Sequence, residues 1–250
     1  MPDKSKNFGV VILAAGQGKR MKLNLPKVAV PLKGRPMIEY IVKSCIESGI
    51  DKNPVVVVSP GNKDIISEIL KNYDCRYAIQ SEQLGTGHAV VSTRPTMEGQ
   101  AEDIMVLYGD HPLITAQMVY RLADTHFKNG KVLTMATVVV PDFTDWCLNF
   151  YDFGRVIRDE QSRVAEIIEK KDAIEEQLKN REVNPSYFCF KANWLWQNLD
   201  KLTNHNAQHE YYLTDLVKIA VKQGYEIATI KIEPKEALGV NTSEQLELIK

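Results

Sequence analysis

The sequence predicts an α/β protein whose predominantly parallel central sheet is flanked by helices, and two features of its first half point there. Short apolar, β-branched runs at residues 10–13, 55–58, 76–79 and 104–107 have strand length and mostly lack a polar face, as expected for strands buried on both sides. Segments with helical spacing lie between them, giving the alternation of repeated βα units.

The elements follow in order. Val10, Val11, Ile12 and Leu13 make the first strand, which stops abruptly at Ala14-Ala15-Gly16-Gln17-Gly18. A helix over 37–48 is predicted by apolar residues at Met37, Ile38, Ile41, Val42 and Cys45; Pro36 suits its first turn and Gly49 closes it. Residues 64–71 and 88–93 are shorter helical candidates. Such a sheet places its ligand crevice at the carboxyl ends of the strands, where Gly16, Gln80 and Asp110 would gather.

The second half is less regular. A helix over 116–128 and a strand over 132–140 lead into an aromatic, loop-like stretch at 141–151. Residues 156–158 and 164–168 form a predicted hairpin across 159–162. Residues 169–182 are charge-rich with no strong apolar stripe, which reads as a solvated helix or a mobile loop. A strand at 187–190, a helix at 211–223 and a strand at 226–232 complete the body, and Thr242 with Gln245 offers a capping box for a last short helix.

At 250 residues the chain can bury one large core, or two lobes around a cleft. The expectation is a single domain over residues 1–250, with a nucleotide-binding lobe at about 1–115 and a second lobe at about 116–250. A net charge of −1 argues against a nucleic-acid surface, so any phosphate affinity is local. Four scattered cysteines without a C-x-x-C pair fit reduced structural thiols better than zinc ligands or disulfides. The first seven residues are too short and polar for a signal peptide, and no apolar run approaches a membrane span. These features predict a soluble, cytoplasmic protein; they leave the oligomeric state open.

Three loops could carry chemistry. In the first, two glycines let the backbone pass close to a ligand, and Lys19, Arg20, Lys22 and Lys27 follow at once. This suits a nucleoside polyphosphate, although such cations can also be merely solvated. It is not a P-loop, because Leu13 stands where the leading glycine belongs and Arg20 where Ser or Thr belongs. Nor is it a dinucleotide fingerprint, whose third glycine would fall at Met21. In the second loop, Gln80 to Ala89 reads QSEQLGTGHA, and its amides, hydroxyl and glycines can read a base edge. Gln80 suits uracil, yet a flipped carboxamide would suit cytosine. In the third, Tyr108-Gly109-Asp110-His111 ends a strand, and Asp110 could hold hydrated magnesium or simply cap a turn.

Together L-A-A-G-x-G-x-R-M with Pro26-Lys27, and Q-x-x-Q-L-G-T-G-H-A, resemble the signatures of sugar-nucleotide pyrophosphorylases, above all the bacterial N-acetylglucosamine-1-phosphate uridylyltransferases. The resemblance spans about the whole chain and implies a Rossmann-like nucleotidyltransferase fold. It implies catalytic Arg20 and Lys27, and a nucleotide site of Leu13, Ala14, Ala15, Gly16, Gly18, Gln80, Gln83, Gly85 and Thr86. It implies Mg2+ on Asp110 and Asn241, the latter in Gly239-Val240-Asn241. The implied sugar site is Tyr108, Gly109, Gly154, Glu169, Asn184 and Tyr212; Glu169 could equally be one acid in a charged run, and Glu210-Tyr211-Tyr212 could be packing residues.

Several positions depart from the family pattern. Pro185-Ser186 follows Asn184 where Thr-Gly is usual, Lys19 replaces Thr or Ser, and Phe153 replaces Tyr. His205 and His209 have metal-ligand spacing without the following Glu of a metalloprotease, which reads as an exposed turn. The implied reaction is uridylyl transfer from UTP to a sugar 1-phosphate, N-acetylglucosamine 1-phosphate first. A related transferase for glucose 1-phosphate or another nucleotide, a silent nucleotide-sugar-binding module, and a nicotinamide oxidoreductase are the alternatives. The bifunctional relatives continue into a hexapeptide-repeat acetyltransferase domain; these 250 residues contain no such repeat, so no acetyl transfer is expected of them.

Overall fold

A computed structural model describes residues 7–16, 25–240 and 242–248. Strand β1 (Phe8–Leu13) is followed by a short antiparallel pair, β2 (Pro31–Leu32) and β3 (Arg35–Pro36), and by helix α1 (Met37–Glu47). Then come β4 (Val55–Val58), α2 (Lys63–Ile69), β5 (Arg76–Ile79), α3 (Thr86–Val91), α4 (Arg94–Met97) and β6 (Asp103–Tyr108). The second half contributes α5 (Ala116–Asn129), β7 (Leu133–Val139), the hairpin β8 (Gly154–Arg158) and β9 (Val164–Ile168), then α6 (Glu175–Leu178) and β10 (Glu182–Asn184). It ends with β11 (Phe188–Lys191), α7 (Ala192–Leu199), α8 (Asp215–Lys222), β12 (Ala228–Lys231) and α9 (Ser243–Leu248).

Among the described residues one large sheet runs β5-β4-β1-β6-β11-β7-β10-β8-β9, with β12 alongside β7. Its first four strands are mutually parallel; β11 then enters antiparallel to both β6 and β7. The chain builds outward from β1 to β4 and β5, then returns to place β6 on β1's other side. The direction of winding therefore switches between β1 and β6, where such sheets bind ligands.

Alternation along the strands divides the core into two layers. Val10, Ile12, Val56, Val58, Met105 and Leu107 join the layer covered by α1 and α5. Val11, Val55, Val57, Ile104 and Val106 join the layer covered by α7 and α8. The four valines of β4 are all fully buried, which is why they show no polar alternation. Helix α1 buries the predicted stripe and ends at Gly49, whose φ of 74° is open to glycine. The Thr115 side chain caps α5 by accepting from the Met118 N–H at 3.1 Å.

Three segments differ from the sequence expectation. The predicted helix over 211–223 starts only at Asp215, because Tyr211 is drawn into hydrogen bonds with residues 84 and 87. The charge-rich stretch 169–182 splits into a 3₁₀ turn at Lys170–Asp172, α6, and the first residue of β10, where Glu182 accepts two 2.7 Å bonds from Arg158. The aromatic loop contains a 3₁₀ helix, Asp145–Asp152, organised around the fully buried Arg155. That guanidinium donates to the carbonyls of Tyr151, Phe153 and Leu178 and lies over the Phe143 ring at 4.7 Å.

Beneath the sheet, Asp103 is fully buried and bonded by Lys191 Nζ at 2.6 Å and His126 Nε2 at 3.2 Å. Burial alone would raise its carboxyl, but the hydrogen bonds and charges of His126 and Lys191 outweigh it and hold the pKa below the ordinary value. The contribution to stability is therefore complete above the unfolded carboxylate pKa of about 4 and is lost as pH falls through the lower folded value. Asp103→Asn should cost about 3 kcal/mol at neutral pH and flatten the acid limb of the stability profile. Urea unfolding between about pH 7 and pH 3 checks both.

Candidate active site

The carboxyl ends of β1, β4, β5 and β6 open onto one side of the sheet, and a cavity of about 350 Å³ lies there. Its first wall is the end of β1. Ala14 donates its N–H to the Val57 carbonyl at 2.9 Å, and its own carbonyl accepts from Asn62 Nδ2 at 2.9 Å. Asn62 Oδ1 in turn accepts the Ser59 N–H at 2.8 Å. The side chain is 5 % exposed, so one buried carboxamide fastens the loop after β4 to the start of the glycine loop. Leu13, Ala14, Ala15 and Gly16 all line the cavity.

The second wall is the loop after β5. Gln80 donates its backbone N–H to Val58 and its side-chain nitrogen to the Gly85 carbonyl at 3.1 Å. The loop is sewn to a distant segment: Tyr211 N donates to the Leu84 carbonyl, Gly87 N to the Tyr211 carbonyl at 2.7 Å, and Leu213 N to Thr86 Oγ1 at 3.0 Å. Gly85 has φ of 108°, and a Cβ there would sit 2.7 Å from the Tyr211 carbonyl, so only glycine permits this approach. Gln80, Gln83, Gly85 and Thr86 face the cavity.

The floor is charged. Lys27 Nζ is ion-paired with Asp110 Oδ2, and both side chains are largely buried. Burial pushes the Asp110 carboxyl up, but the Lys27 charge, the nearby His111 and its hydrogen bonds pull it below the usual range, so it is ionised at neutral pH. His111 Nε2 lies 3.8 Å from the other carboxylate oxygen. Burial lowers the His111 pKa against the opposing pull of Asp110, which leaves a neutral imidazole at pH 7; its Nδ1 is 2.6 Å from the Tyr187 hydroxyl. The Asp110 carbonyl accepts the Val240 N–H at 2.9 Å, bringing the C-terminal segment to the floor.

Lys27, Tyr108 and Asp110 also line the cavity, together with Val28, Ala89, His111 and Glu210. Among these last four, only Glu210 was suggested by sequence. His111 lay in the Tyr108-Gly109-Asp110-His111 run, but nothing in the run foretold its distant partner Tyr187. Gly18, Arg20 and Asn241 lie outside the described residues.

Of the predicted sugar residues Tyr108 lines the cavity, and the others border it through Tyr108, whose hydroxyl is hydrogen-bonded with Thr86 and Ser186 and feels the Glu169 charge. Gly154 is paired with Asn184 across β8 and β10, and a Cβ on it would lie 3.4 Å from both Glu169 carboxylate oxygens, so these three form one cluster. Glu169 Oε1 accepts from the Thr214 hydroxyl at 2.9 Å, and burial raises its pKa. Asn184 is engaged by its neighbour: its Oδ1 accepts the Ser186 N–H at 2.9 Å and its Nδ2 donates to Ser186 Oγ at 3.1 Å. Ser186 has φ of 65°, the left-handed conformation that a glycine adopts without strain. Tyr212 accepts from Gln208 at 2.8 Å, and its pKa is pushed up to about 12 by burial first. Gly109 packs behind Leu13, to whose carbonyl it donates at 2.9 Å. His205 and His209 are exposed, in the expected turn.

Residues 10–207 match the family profile described as the MobA-like NTP transferase domain. The chain is 37 % identical over 243 residues to the bifunctional protein GlmU of Caldicellulosiruptor saccharolyticus, covering 97 % of this chain and 51 % of that protein. It is 41 % identical over 241 residues to GlmU of Pelotomaculum thermopropionicum (96 % and 50 %) and 35 % identical over 246 residues to that of Desulfotalea psychrophila (98 % and 70 %). It thus spans about half the length of most of these relatives.

Asn62→Ala removes both bonds that fasten the glycine loop and leaves the Ala14 carbonyl unpaired. The expected outcome is about 1–3 kcal/mol lower stability, together with weaker nucleoside triphosphate binding at temperatures well below unfolding. Denaturant titration and calorimetry measure the two separately.

Proposed function

The chain belongs to the MobA-like NTP transferase domain family, and on that premise we propose that it transfers a uridylyl group from UTP to a sugar 1-phosphate, with N-acetylglucosamine 1-phosphate as the acceptor, releasing pyrophosphate. The observation that carries this reading is the shared cavity, in which a small-residue loop, a neutral base-reading loop and the Lys27–Asp110 pair meet.

In this mechanism an ionised oxygen of the sugar phosphate attacks the α-phosphorus in line, and the bond to the bridging oxygen breaks as pyrophosphate leaves with the electron pair. The nucleophile is already an anion, so no general base is required, and a neutral His111 is consistent with that. Catalysis rests on positioning and charge stabilisation. Lys27 neutralises charge at the α-phosphate and the incoming phosphate; Arg20 takes the β- and γ-phosphates. Residues 14–16 bring the backbone close to the triphosphate, and Gln80 reads the base.

Magnesium fits the donor set. Asp110 offers an ionised, hard carboxylate oxygen at the cavity, and the described residues contain no group of three or more His, Cys, Asp or Glu side chains that could hold a metal. That leaves phosphate oxygens, water and Asn241 as further ligands, the arrangement magnesium favours in phosphoryl-transfer sites. When bound, the ion supplies charge neutralisation to the phosphate oxygens. One observation favours a second acceptor, glucose 1-phosphate: the Asn184 carboxamide is already engaged by Ser186.

A pyrophosphate-release assay across four nucleoside triphosphates and several sugar phosphates tests the reading. UTP with N-acetylglucosamine 1-phosphate should be the fastest pair and chelation should abolish turnover. Arg20→Ala should lower kcat by roughly 10²- to 10³-fold. Nucleotide binding without pyrophosphate release from any pair would mark a silent binding module.

A further inference from the structure

We propose that His88 is a positioning residue that sets base specificity, by locking the Gln80 carboxamide so that only a hydrogen-bond acceptor faces the base. The inference deepens the uridylyl reading above and rests on it.

Gln80 is 4 % exposed and lines the cavity. Its side-chain nitrogen lies 3.1 Å from the Gly85 carbonyl oxygen. A carbonyl can only accept, so chemistry decides that this end of the carboxamide is the NH₂ group. The same nitrogen lies 3.3 Å from His88 Nδ1. An amide nitrogen does not accept, so in this contact Nδ1 supplies the lone pair and the ring N–H is on Nε2. Both N–H groups of Gln80 are thus spent on the protein, whereas among the described residues no donor is bonded to its oxygen.

What remains for the base is an acceptor. Uracil presents a donor at ring position N3, and cytosine presents a lone pair at the same atom. A half-turn of the carboxamide would admit cytosine, but it would set the oxygen against the Gly85 carbonyl and require His88 to move its ring proton to Nδ1. His88 itself is not among the residues lining the nucleotide cavity. It sits on α3 and faces a second cavity of about 230 Å³ behind the loop, with Leu84, Val91 and Leu202. Its influence on the base therefore passes through Gln80.

The test is the ratio of kcat/KM for UTP over CTP, with N-acetylglucosamine 1-phosphate as acceptor, alongside calorimetric Kd values for the two nucleotides alone. The wild type should prefer UTP. His88→Ala should narrow the preference about tenfold, the scale of one discriminating buried hydrogen bond. His88→Asn, whose Oδ1 restores an acceptor, should keep it within about threefold. Unfolding midpoints of both variants show whether packing alone has changed. A UTP preference that survives in His88→Ala, or that falls equally in both variants, overturns the proposal and leaves the reaction standing. A wild type that takes CTP as readily as UTP, or binds neither, overturns the base assignment together with this proposal.

Discussion

The site depends on β1 having parallel partners on both sides. Because β4 and β6 run alongside it in the same direction, the turns after all three strands leave at one end of the sheet. The register is tight there: Leu13 lies opposite both Val57 and Tyr108. Ala14 and Gly109 continue the ladder by one bond each beyond the strands. The backbone at Ala14 and Gly109 is therefore an extension of a ladder between strands whose residues are almost all fully buried. Backbone at these two positions that lacked such bonds would have to be ordered on binding, and that entropy would be subtracted from affinity.

Charge at the site is managed locally, in a chain that carries almost none overall. Lys27 and Asp110 neutralise one another at the cavity floor, where either alone would be costly. In the proposed reaction, phosphates would give the pair new partners on both sides, phosphate oxygens for the ammonium and a divalent ion for the carboxylate. The cluster of Gly154, Glu169 and Asn184 is handled differently: Glu169 has a neutral partner, the Thr214 hydroxyl, and burial raises its pKa.

Much of this was legible in the sequence, for identifiable reasons. Strands β1, β4 and β6 could be read because burial on both faces leaves apolar runs with little competing pattern; β5, an edge strand with Ile79 exposed, was legible from its short apolar run alone. Gly16, Gln80 and Asp110 stood out as polar or small residues directly after such runs, and the structure gathers them on one cavity. Helix α7 was not assigned, because six of its eight residues are buried, Asn198 among them, and only Asn193 and Gln197 mark a polar face. The start of α8 was misplaced because Tyr211 has helical neighbours in sequence but bonds to Leu84 and Gly87 in space. Asn62 and His111 escaped for a related reason: each matters through a partner 48 or 76 residues away, which no local pattern encodes.

That bonding between residues 84–87 and 211–213 has a consequence for how the protein is made. A ribosome releases the N-terminal strands long before Tyr211 and Leu213 exist, so the βα units can assemble while the base-reading loop still lacks the segment that shapes it. The bonds that fix residues 84–87 therefore wait until residues 211–213 have been made. Long-range closures of this kind form late because the chain must first surrender the entropy of the intervening loop. A chain that has made the sheet but not residues 211–213 therefore has the strands that line the cavity without the bonds that hold residues 84–87 in place.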